Sequence, residues 1–348
     1  MNTEILHVEN ILKDGAGLLR AAKLLRAGEV VAIPTETVYG LAANALDERA
    51  VAKIFEAKGR PQDNPLIVHI AELSALYAIA EEVPAWTEAL AAEFWPGPLT
   101  MILKKRDCIP DAVSAGLSTV GVRFPAHRVA RAVIDSAGVP LAAPSANTSG
   151  RPSPTTAEHV YEDLCGKIPM IVDGGPCCVG VESTVVDLTG EKPRLLRPGG
   201  ITPAQLRRVL GDLEIDPAVT REIANDAIVR APGMKYRHYA PKAPVVILDG
   251  DAAAAREYIL AHSENERVAV LCFSEERAMF EGVCEHVFAY GSETQPDELA
   301  HGLFDALRRF DALSVTKIYA REPKMGDGME LAVINRLQKA AGFTRVTV

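Results

Sequence analysis

The sequence predicts an α/β protein with two domains joined by a linker. Three observations support this architecture. The 348 residues exceed what one small core organises. Short β-branched runs alternate with helical patterns from the beginning of the chain to its end. This alternation is interrupted at residues 211–244, so we set the domains at 1–210 and 245–348 and assign 211–244 to the linker.

The first elements of the N-terminal domain follow from apolar spacing and from the residues that end each segment. Residues 17–27 place Leu18, Leu19, Ala22 and Leu25 on one face, and a glycine follows, which predicts a helix with a glycine C-cap. Residues 29–33 predict a strand that ends at a proline. A helix is expected to begin after an aspartate at 47 and to end close to Lys58.

The rest of this domain predicts a mixed sheet. Several connections between its strands are too short for helical crossovers, which excludes an entirely parallel sheet. Thr202 and Pro203 predict the start of its last helix, because threonine is a favoured N-cap and proline a favoured first helical residue. The predicted strands cover residues 66–70, 99–103, 119–124, 139–143, 170–172, 184–188 and 194–196.

Residues 211–244 are rich in Asp, Glu, Arg and Pro, and their apolar residues are too scattered to predict a core. This composition indicates a linker. A plain spacer does not need the two tyrosines, the histidine and the three basic residues found within positions 235–242. Composition alone supports equally a solvated strap and a strap that lies over a site.

The C-terminal residues predict a small parallel, doubly wound α/β domain. Strands are expected at 245–248, 267–273, 285–290 and 316–320, each followed by a helix. These helices begin near residues 252, 275, 296 and 329. Regular alternation of short apolar strands with helices is typical of parallel sheets.

Composition excludes several classes of protein. The net charge of −9 argues against a protein whose main role is to grip nucleic acid by its phosphates. The first fifteen residues lack the pattern of a secretion signal, and no run of about eighteen apolar residues predicts a membrane span. The six cysteines form no CxxC pair, which favours reduced thiols. We therefore expect a cytoplasmic protein.

Polar segments follow the predicted strands of the N-terminal domain. The sequence contains no GxxxxGK[ST] phosphate loop, no HExxH zinc helix and no GxSxG nucleophile elbow. Each polar segment alone can be structural, as a helix end or a turn of small residues. Together they favour a shared polar pocket, because loops at strand ends hold ligands in open α/β folds. The segments are 34–41, 58–65 with His69, 118–125, 144–150, 173–184 and 197–200.

Two of these segments suggest particular ligands. Lys58 and Arg60 flank a glycine and precede a proline, which predicts a rigid cationic hook suited to phosphate oxygens. Arg123 lies at the end of a predicted strand, where its guanidinium is placed to take a carboxylate with two hydrogen bonds.

The motifs resemble those of the YrdC family over residues 18–209. The resemblance rests on segments 34–41 and 58–64 with His69, on the pair Lys58-x-Arg60 and Ser145-x-Asn147, and on residues 182–184. The run at 238–241, HYAP, and the second domain resemble the long, two-domain members. This resemblance implies a twisted mixed sheet with a concave pocket, a Rossmann-like parallel C-terminal domain and a linker over the active site.

The resemblance also implies a reaction. L-threonine, bicarbonate and ATP would give threonylcarbamoyl-AMP and pyrophosphate, for the threonylcarbamoyl modification of the adenosine beside the tRNA anticodon. Mg²⁺ is expected to accompany ATP, with no protein ligand assigned. The product is expected to pass to tRNA threonylcarbamoyl transferase proteins, and direct binding of tRNA is left open.

The roles of individual residues follow from the same resemblance. The catalytic set is Lys58, Arg60, Ser145 and Asn147. The ATP-binding set is Arg60, Asn64, Thr119, Ser145, Ser153, Arg197 and Tyr239. The threonine-binding set is Thr37, His69, Arg123 and Ser183, with the main chain near Ala143.

Two other functions compete with this interpretation. An RNA-binding module would show a salt-sensitive affinity for RNA that does not depend on threonine. A carbamoyl transferase that acts on another acceptor ranks lower, because the sequence lacks the acylphosphatase-like and zinc-bearing segments of such proteins.

Overall fold

The computed structural model describes residues 2–222, 230–232, 238–264 and 266–348. These residues form two compact units. The first contains the described residues of 2–149, 153–219 and 230–232, and the second contains 150–152, 220–222 and the described residues from 238 onward. Residues 211–219, which the sequence assigns to the linker, thus pack with the first unit.

The first unit is built on an eleven-stranded mixed sheet, which confirms the predicted fold class. Its strands are β1 (Glu4–His7), β2 (Val31–Ile33), β3 (Gly40–Asn44), β4 (Ile67–His69), β5 (Leu99–Lys104), β6 (Thr119–Arg123), β7 (Leu141–Ala142), β8 (Met170–Asp173), β9 (Thr184–Asp187), β10 (Arg194–Arg197) and β11 (Glu214–Ile215). Its helices are α1 (Gly15–Arg26), α2 (Glu48–Lys58), α3 (Ser74–Ile79), α4 (Ala85–Phe94), α5 (Asp111–Ser114), α6 (Arg128–Ala137), α7 (Ala157–Leu164) and α8 (Pro203–Leu210).

The strand order and directions bring the ends of several strands together along one side of this sheet. The order is β1-β8-β2-β3-β7-β4-β6-β5-β9-β10-β11. Strands β4 and β6 are parallel, as are β5 and β9, whereas β5 is antiparallel to β6 and β10 is antiparallel to β9. The carboxyl ends of β4, β6 and β10 therefore lie beside the amino ends of β5 and β9.

Strands β1 and β3 are absent from the sequence prediction. Strand β3 reads GLAAN, without a β-branched or aromatic residue, so its propensity for a strand is low. Pairing with β2 and β7 decides its conformation instead. Strand β1 has no buried residue, and it forms the edge of the sheet beside β8.

The apolar residues of the linker also differ from expectation. Ala218 and Ala231 are buried in a cluster with Ile102, Val185 and Leu196 of strands β5, β9 and β10. Two small side chains suffice to complete a cluster that the sheet already supplies. No periodic apolar pattern is needed for this, so sequence periodicity does not reveal it.

A helical layer covers one face of the first sheet at the β2 and β8 region. Leu18 and Leu25 of α1 pack with Val133 and Ile134 of α6, over strands β2 and β8. The apolar face predicted for α1 is confirmed by the burial of Leu18, Ala22 and Leu25, whereas Leu19 is 51% exposed.

The second unit has a five-stranded, wholly parallel sheet, as predicted. Its order is β14-β13-β15-β12-β16. The last strand, β16, is an addition to the prediction. No helix within the described ranges is both long enough and apolar enough to cross a membrane. The strands are β12 (Val245–Asp249), β13 (Val268–Cys272), β14 (His286–Ala289), β15 (Lys317–Ala320) and β16 (Arg345–Thr347), and the helices are α9 (Ala252–His262), α10 (Arg277–Phe280), α11 (Pro296–Phe310) and α12 (Glu330–Ala340).

We expect Leu25→Ala to lower the free energy of unfolding of the first unit by about 2–5 kcal/mol, because the side chain is fully buried and its removal leaves a cavity. Leu19→Ala, in the same helix, is the matched control and should change it by about 0.5 kcal/mol or less. Urea denaturation followed by circular dichroism measures both variants. Equal effects would contradict the assigned core face of α1.

Candidate active site

The end of α2 holds the loop that follows β7. Gly59 ends the helix in the left-handed conformation, at φ 61°. Lys58 is only 2% exposed, and its Nζ donates to the main-chain oxygens of Ser145 and Asn147, both at 2.5 Å. The main-chain oxygen of Lys58 accepts from the amide of Ser149 at 2.9 Å. The two halves of the predicted catalytic set are therefore joined by Lys58.

The cationic hook expected from the sequence has a different form in the structure. Both cations were expected to face phosphates, but the Lys58 ammonium is directed at carbonyl oxygens. A buried ammonium requires such acceptors, because its desolvation is otherwise costly. Arg60 Nη2 donates to the main-chain oxygens of Asn64 and Pro65, at 3.2 and 3.1 Å. Arg60 is half-buried, whereas Asn64 is 1% exposed.

The Ser145 loop is fastened to the sheet as well. Ser145 Oγ donates to Asn147 Oδ1 at 2.5 Å, and the main chain of Ser145 forms an isolated β-bridge with Gly40 at the start of β3. Ala143, just before the loop, donates its amide to the oxygen of Ile67 at 2.9 Å. These contacts fix where the polar atoms of the loop lie relative to β3 and β4.

Arg123, at the end of β6, forms a buried ion pair that the sequence did not indicate. Its Nη2 lies 2.7 Å from Glu36 Oε1, and its Nη1 donates to Thr37 Oγ1 at 2.8 Å. Arg123 and Glu36 are 4% and 6% exposed. Burial alone would raise the pKa of Glu36, but the charge and hydrogen bond of Arg123, together with two main-chain hydrogen bonds, outweigh burial and lower that pKa. The guanidinium that we expected to meet a substrate carboxylate thus holds a carboxylate of the chain itself.

His69, at the end of β4, lies beside this ion pair. The register aligns it with Arg123 on the neighbouring parallel strand. Burial, and after it the positive charge of Arg123, lower the pKa of His69 to about 3. The oxygen of Ile67 and the charge of Glu36 act in the opposite direction but are weaker. His69 is therefore a neutral imidazole at physiological pH.

Ser183 connects the two predicted substrate sets. Its Oγ lies 2.8 Å from Thr100 Oγ1 and accepts from Arg197 Nη2 at 3.0 Å. Its main-chain oxygen accepts from Arg197 Nε at 3.0 Å. Thr100 pairs with Arg123 in the β5–β6 register. A residue expected to bind threonine and one expected to bind ATP are thus in direct contact.

Thr119 lies apart from Arg123, at the opposite end of β6. The two residues are four steps apart along the strand, a distance of about 13 Å. Thr119 lines a cavity of about 10 Å³ together with Pro65, Arg230 and Pro232. Pro65 is also an acceptor for Arg60, so Thr119 lies near the Arg60 turn. The cavity has room for about one water molecule.

Arg230 and Pro232, in the second half of the linker, make polar contacts with this sheet. Arg230 Nη1 lies 3.5 Å from Asp187 Oδ2, and the oxygen of Pro232 accepts from Arg197 Nη1 at 3.3 Å. Residues 233–237, which contain much of the basic and aromatic run, lie outside the described residues. The role of the linker as a lid stays a prediction.

The last two predicted ATP-binding residues lie in different units. Ser153 is fully buried in the first unit, and its Oγ donates to Glu182 Oε1 at 2.5 Å. Tyr239 belongs to the second unit, where its ring centroid lies 5.1 Å from that of Phe304. Tyr239 has a φ of 64°, which is uncommon for a residue other than glycine.

Two site residues escaped the sequence prediction. Glu36 pairs with Arg123, and Glu182 accepts from Ser153. A signal existed for both, since each carboxylate stands in a polar segment adjoining a buried strand. The sequence does not show, however, that Arg123 is buried and that Glu36 is the carboxylate with which it pairs. The site therefore combines three buried cations, Lys58, Arg123 and Arg197, with acceptors from the chain, a neutral histidine and a row of hydroxyl groups.

The fold and this polar edge define a two-unit α/β protein with a buried cationic site on its N-terminal mixed sheet. The family model for Sua5, YciO and YrdC proteins, described as telomere recombination, matches residues 23–199. A second model, described as the C-terminal domain of threonylcarbamoyl-AMP synthase, matches residues 201–342. The chain belongs to the Sua5, YciO and YrdC family, in its long two-domain form.

Similar proteins cover nearly the whole chain. A threonylcarbamoyl-AMP synthase of Pyrococcus abyssi is 48% identical over 94% of this chain and 95% of its own length. One of Bacillus subtilis is 48% identical over 93% of each chain. The crystal structure of P. abyssi Sua5 complexed with L-threonine has a TM-score of 0.91 and 45% identity, and it covers all of both chains.

We expect the low pKa of His69 to appear in the pH dependence of stability. An unfolded histidine gains a proton near pH 6.5, whereas His69 in the folded state gains one near pH 3. The unfolded state therefore binds more protons between these values, and stability is lost as the pH falls below about 6.5, by about 1.4 kcal/mol per pH unit from this residue.

His69→Gln should remove this part of the slope, measured by urea denaturation from pH 7.5 to 4.5. The same substitution at the exposed His262 should leave the slope of the wild type. A wild-type slope in the His69 variant would contradict a neutral, buried imidazole.

Proposed function

We propose that this chain is an adenylate-forming enzyme that converts L-threonine, bicarbonate and ATP into threonylcarbamoyl-AMP and pyrophosphate. The observation that carries the proposal is the near-complete coverage at 48% identity by proteins named threonylcarbamoyl-AMP synthase. The joining of Lys58 to Ser145 and Asn147 supports it from the structure, because these residues belong to the motif pair on which the family resemblance rests.

The threonine site would lie at the edge formed by β4, β6 and β9. Thr37, His69 and Ser183 offer hydroxyl and imidazole groups there, with the main chain of Ala143 nearby. Arg123 would act as a positioning residue, because its two terminal nitrogens orient Thr37 and Glu36. The neutral imidazole suits a hydrogen bond to a polar substrate group and adds no further charge.

The ATP site would use the Arg60 turn, Arg197 and the hydroxyl groups of the first unit. The Arg60 guanidinium is held in place by its hydrogen bonds to the main-chain oxygens of Asn64 and Pro65. Arg197 is held by Ser183, which places a cation beside the threonine set. Asn64, Thr119, Ser145 and Ser153 complete the set in this unit, and the assignment of Tyr239 to ATP rests on the family resemblance alone.

Transfer of the adenylyl group requires two anions to approach one another. The carbamate formed from threonine and bicarbonate attacks the α-phosphate, a bond from phosphorus to the carbamate oxygen forms, and pyrophosphate leaves. Arg60 and Arg197 would stabilise the negative charge that develops on the phosphates. Lys58 would keep Ser145 and Asn147 in place. No covalent nucleophile of the protein is needed, so this nucleotidyl transfer depends mainly on orientation of the reactants.

Mg²⁺ would enter with ATP as part of the substrate. Within the ranges that the structure describes, no group of three or more His, Cys, Asp or Glu side chains is arranged to hold a metal ion. A binding mode in which the phosphates supply most ligands is compatible with that arrangement and with the usual coordination of Mg²⁺.

We also propose a cytoplasmic location, with the product passed to tRNA threonylcarbamoyl transferase proteins.

We expect Arg60→Ala to lower threonine-dependent release of pyrophosphate by about 10²–10³-fold, the usual loss for one preorganised donor where charge develops. Lys58→Ala should lower it by about 10²-fold, because the Ser145 loop loses the contacts that hold it in position. Arg20→Ala, at a surface ion pair with Glu4, is the control and should retain activity. A phosphate-release assay coupled to pyrophosphatase measures all three. Activity within a few-fold of wild type in both site variants would remove these residues from the mechanism.

Arg123→Lys should raise the KM for threonine far more than the KM for ATP. Arg123 contacts Glu36 with one terminal nitrogen and Thr37 with the other, whereas a lysine side chain has only one nitrogen and cannot make both contacts in the same geometry. Steady-state kinetics with each substrate varied in turn provides the measurement. Equal increases in both constants would count against the threonine assignment.

Mass spectrometry of products formed with each of the twenty amino acids tests the function itself, and absence of an adenylate with threonine would refute it.

A further inference from the structure

The sheet of the second unit has a crevice at the carboxyl ends of β12 and β15. These strands are neighbours, but the chain leaves them in opposite directions, from β12 through α9 to β13 and from β15 through α12 to β16. Right-handed crossovers that run in opposite directions lie on opposite faces of a sheet. The two exit loops therefore separate, as they do at ligand-binding switch points of open α/β folds.

A cavity of about 610 Å³ occupies this crevice. Its volume is in the range that holds small-molecule ligands. Apolar side chains form part of its wall, and charged side chains from both exit loops form the rest. The lining residues nearest the exit loops are Asp249, Asp251, Arg321, Glu322, Lys324 and Met325.

Both arginines of the cavity are engaged by the protein itself. Arg321 is 7% exposed, and its terminal nitrogens donate to the main-chain oxygens of Leu248 at 2.8 Å and Gly250 at 2.7 Å. Its Nε lies 3.1 Å from Glu276 Oε1. Arg345 contacts Asp249 and Glu322. These guanidinium groups therefore shape the cavity without supplying a free cation for an anionic ligand.

The places that usually bind phosphate are already filled by carboxylates of the chain. At the start of α9, the amide of Ala254 donates to Asp251 at 2.8 Å. In the glycine-containing loop after β15, the amide of Gly328 donates to Glu330 Oε1 at 2.9 Å. Helix starts and glycine loops bind anions through such amides. Occupied amides and nearby carboxylates both disfavour a phosphate ligand.

The remaining polar groups favour a positive ligand. The lining contains the carboxylates of residues 249, 251, 276, 293 and 322 but only three cationic side chains, which leaves an excess of two negative charges. The Glu322 side chain is 9% exposed, and Arg345 and Gln338 both contact its carboxylate, whereas its Oε2 has no hydrogen bond of full geometry within the described part of the chain. A buried acceptor without a donor is costly and calls for one from a ligand.

We propose that this cavity binds a small organic cation, a molecule with an ammonium or guanidinium group on a short carbon chain. The cationic group meets the carboxylates beside Glu322, and the carbon chain lies against the apolar wall. A metal ion is a poorer occupant, because none of the described residues form a group of three suitable ligands. The site belongs to the second unit alone and is separate from the nucleotide chemistry proposed for the first.

Isothermal titration calorimetry of the full chain with agmatine, which carries both cationic groups, tests the proposal. The wild type should bind agmatine, whereas any heat from inorganic phosphate, which the ATP site proposed in the first unit can also accept, should be the same in the wild type and in Lys324→Glu. Glu322→Gln should weaken agmatine binding by about tenfold or more, through loss of a charge-assisted hydrogen bond. Glu257→Gln, which removes the same charge from an exposed position on α9, is the matched control and should bind as the wild type does.

A second variant guards against a folding effect of the first. Lys324→Glu changes an exposed residue at the cavity and should strengthen agmatine binding by a few-fold, because it adds a negative charge. Absence of saturable agmatine binding to the wild type would overturn the proposal. So would unchanged affinity in both cavity variants, an equal loss in Glu257→Gln, or saturable phosphate binding that Lys324→Glu weakens.

Discussion

Arg123 carries a positive charge into the interior of the first sheet, where 4% of its surface remains exposed. Such a charge persists only with a partner, because a buried guanidinium that is left unpaired costs several kcal/mol, on the order of 3–5 kcal/mol. Glu36 provides the partner, and Thr37 takes the adjacent nitrogen. Burial of His69, and after it the charge of Arg123, keeps its imidazole neutral. The buried ion pair therefore fixes the segment after β2 and contributes to the environment of His69 at the end of β4.

Lys58 imposes a second constraint of the same kind. Its ammonium needs acceptors in a place where water is scarce, and it finds them in two main-chain oxygens of the Ser145 loop. The helix end and the loop are thereby fixed to each other. A site that orients two substrates benefits from this rigidity, since small displacements of catalytic groups reduce rates strongly. Arg123 and Lys58 therefore act at least partly by holding other groups of the site in position.

The two units use their charged groups differently. In the first, arginines and a lysine surround a region proposed for phosphates and a carbamate. In the second, the start of α9 and the glycine loop after β15 are occupied by Asp251 and Glu330, so the crevice favours a cation. An open α/β sheet of the usual kind thus need not bind a nucleotide. The side chains at its switch point decide which ligand it can accept.

Apolar periodicity and polar residues at strand ends are local signals, and they were enough to predict the two α/β units, the parallel second sheet and the segments that contain the candidate site. Tertiary structure alone decided that β3 pairs as a strand, that Ala231 completes a core and that Thr119 lies at the far end of β6 from Arg123. It also selected Glu36 as the partner of Arg123. Those outcomes depend on which strands become neighbours and on the cost of an unpaired buried charge, and neither can be read from local spacing.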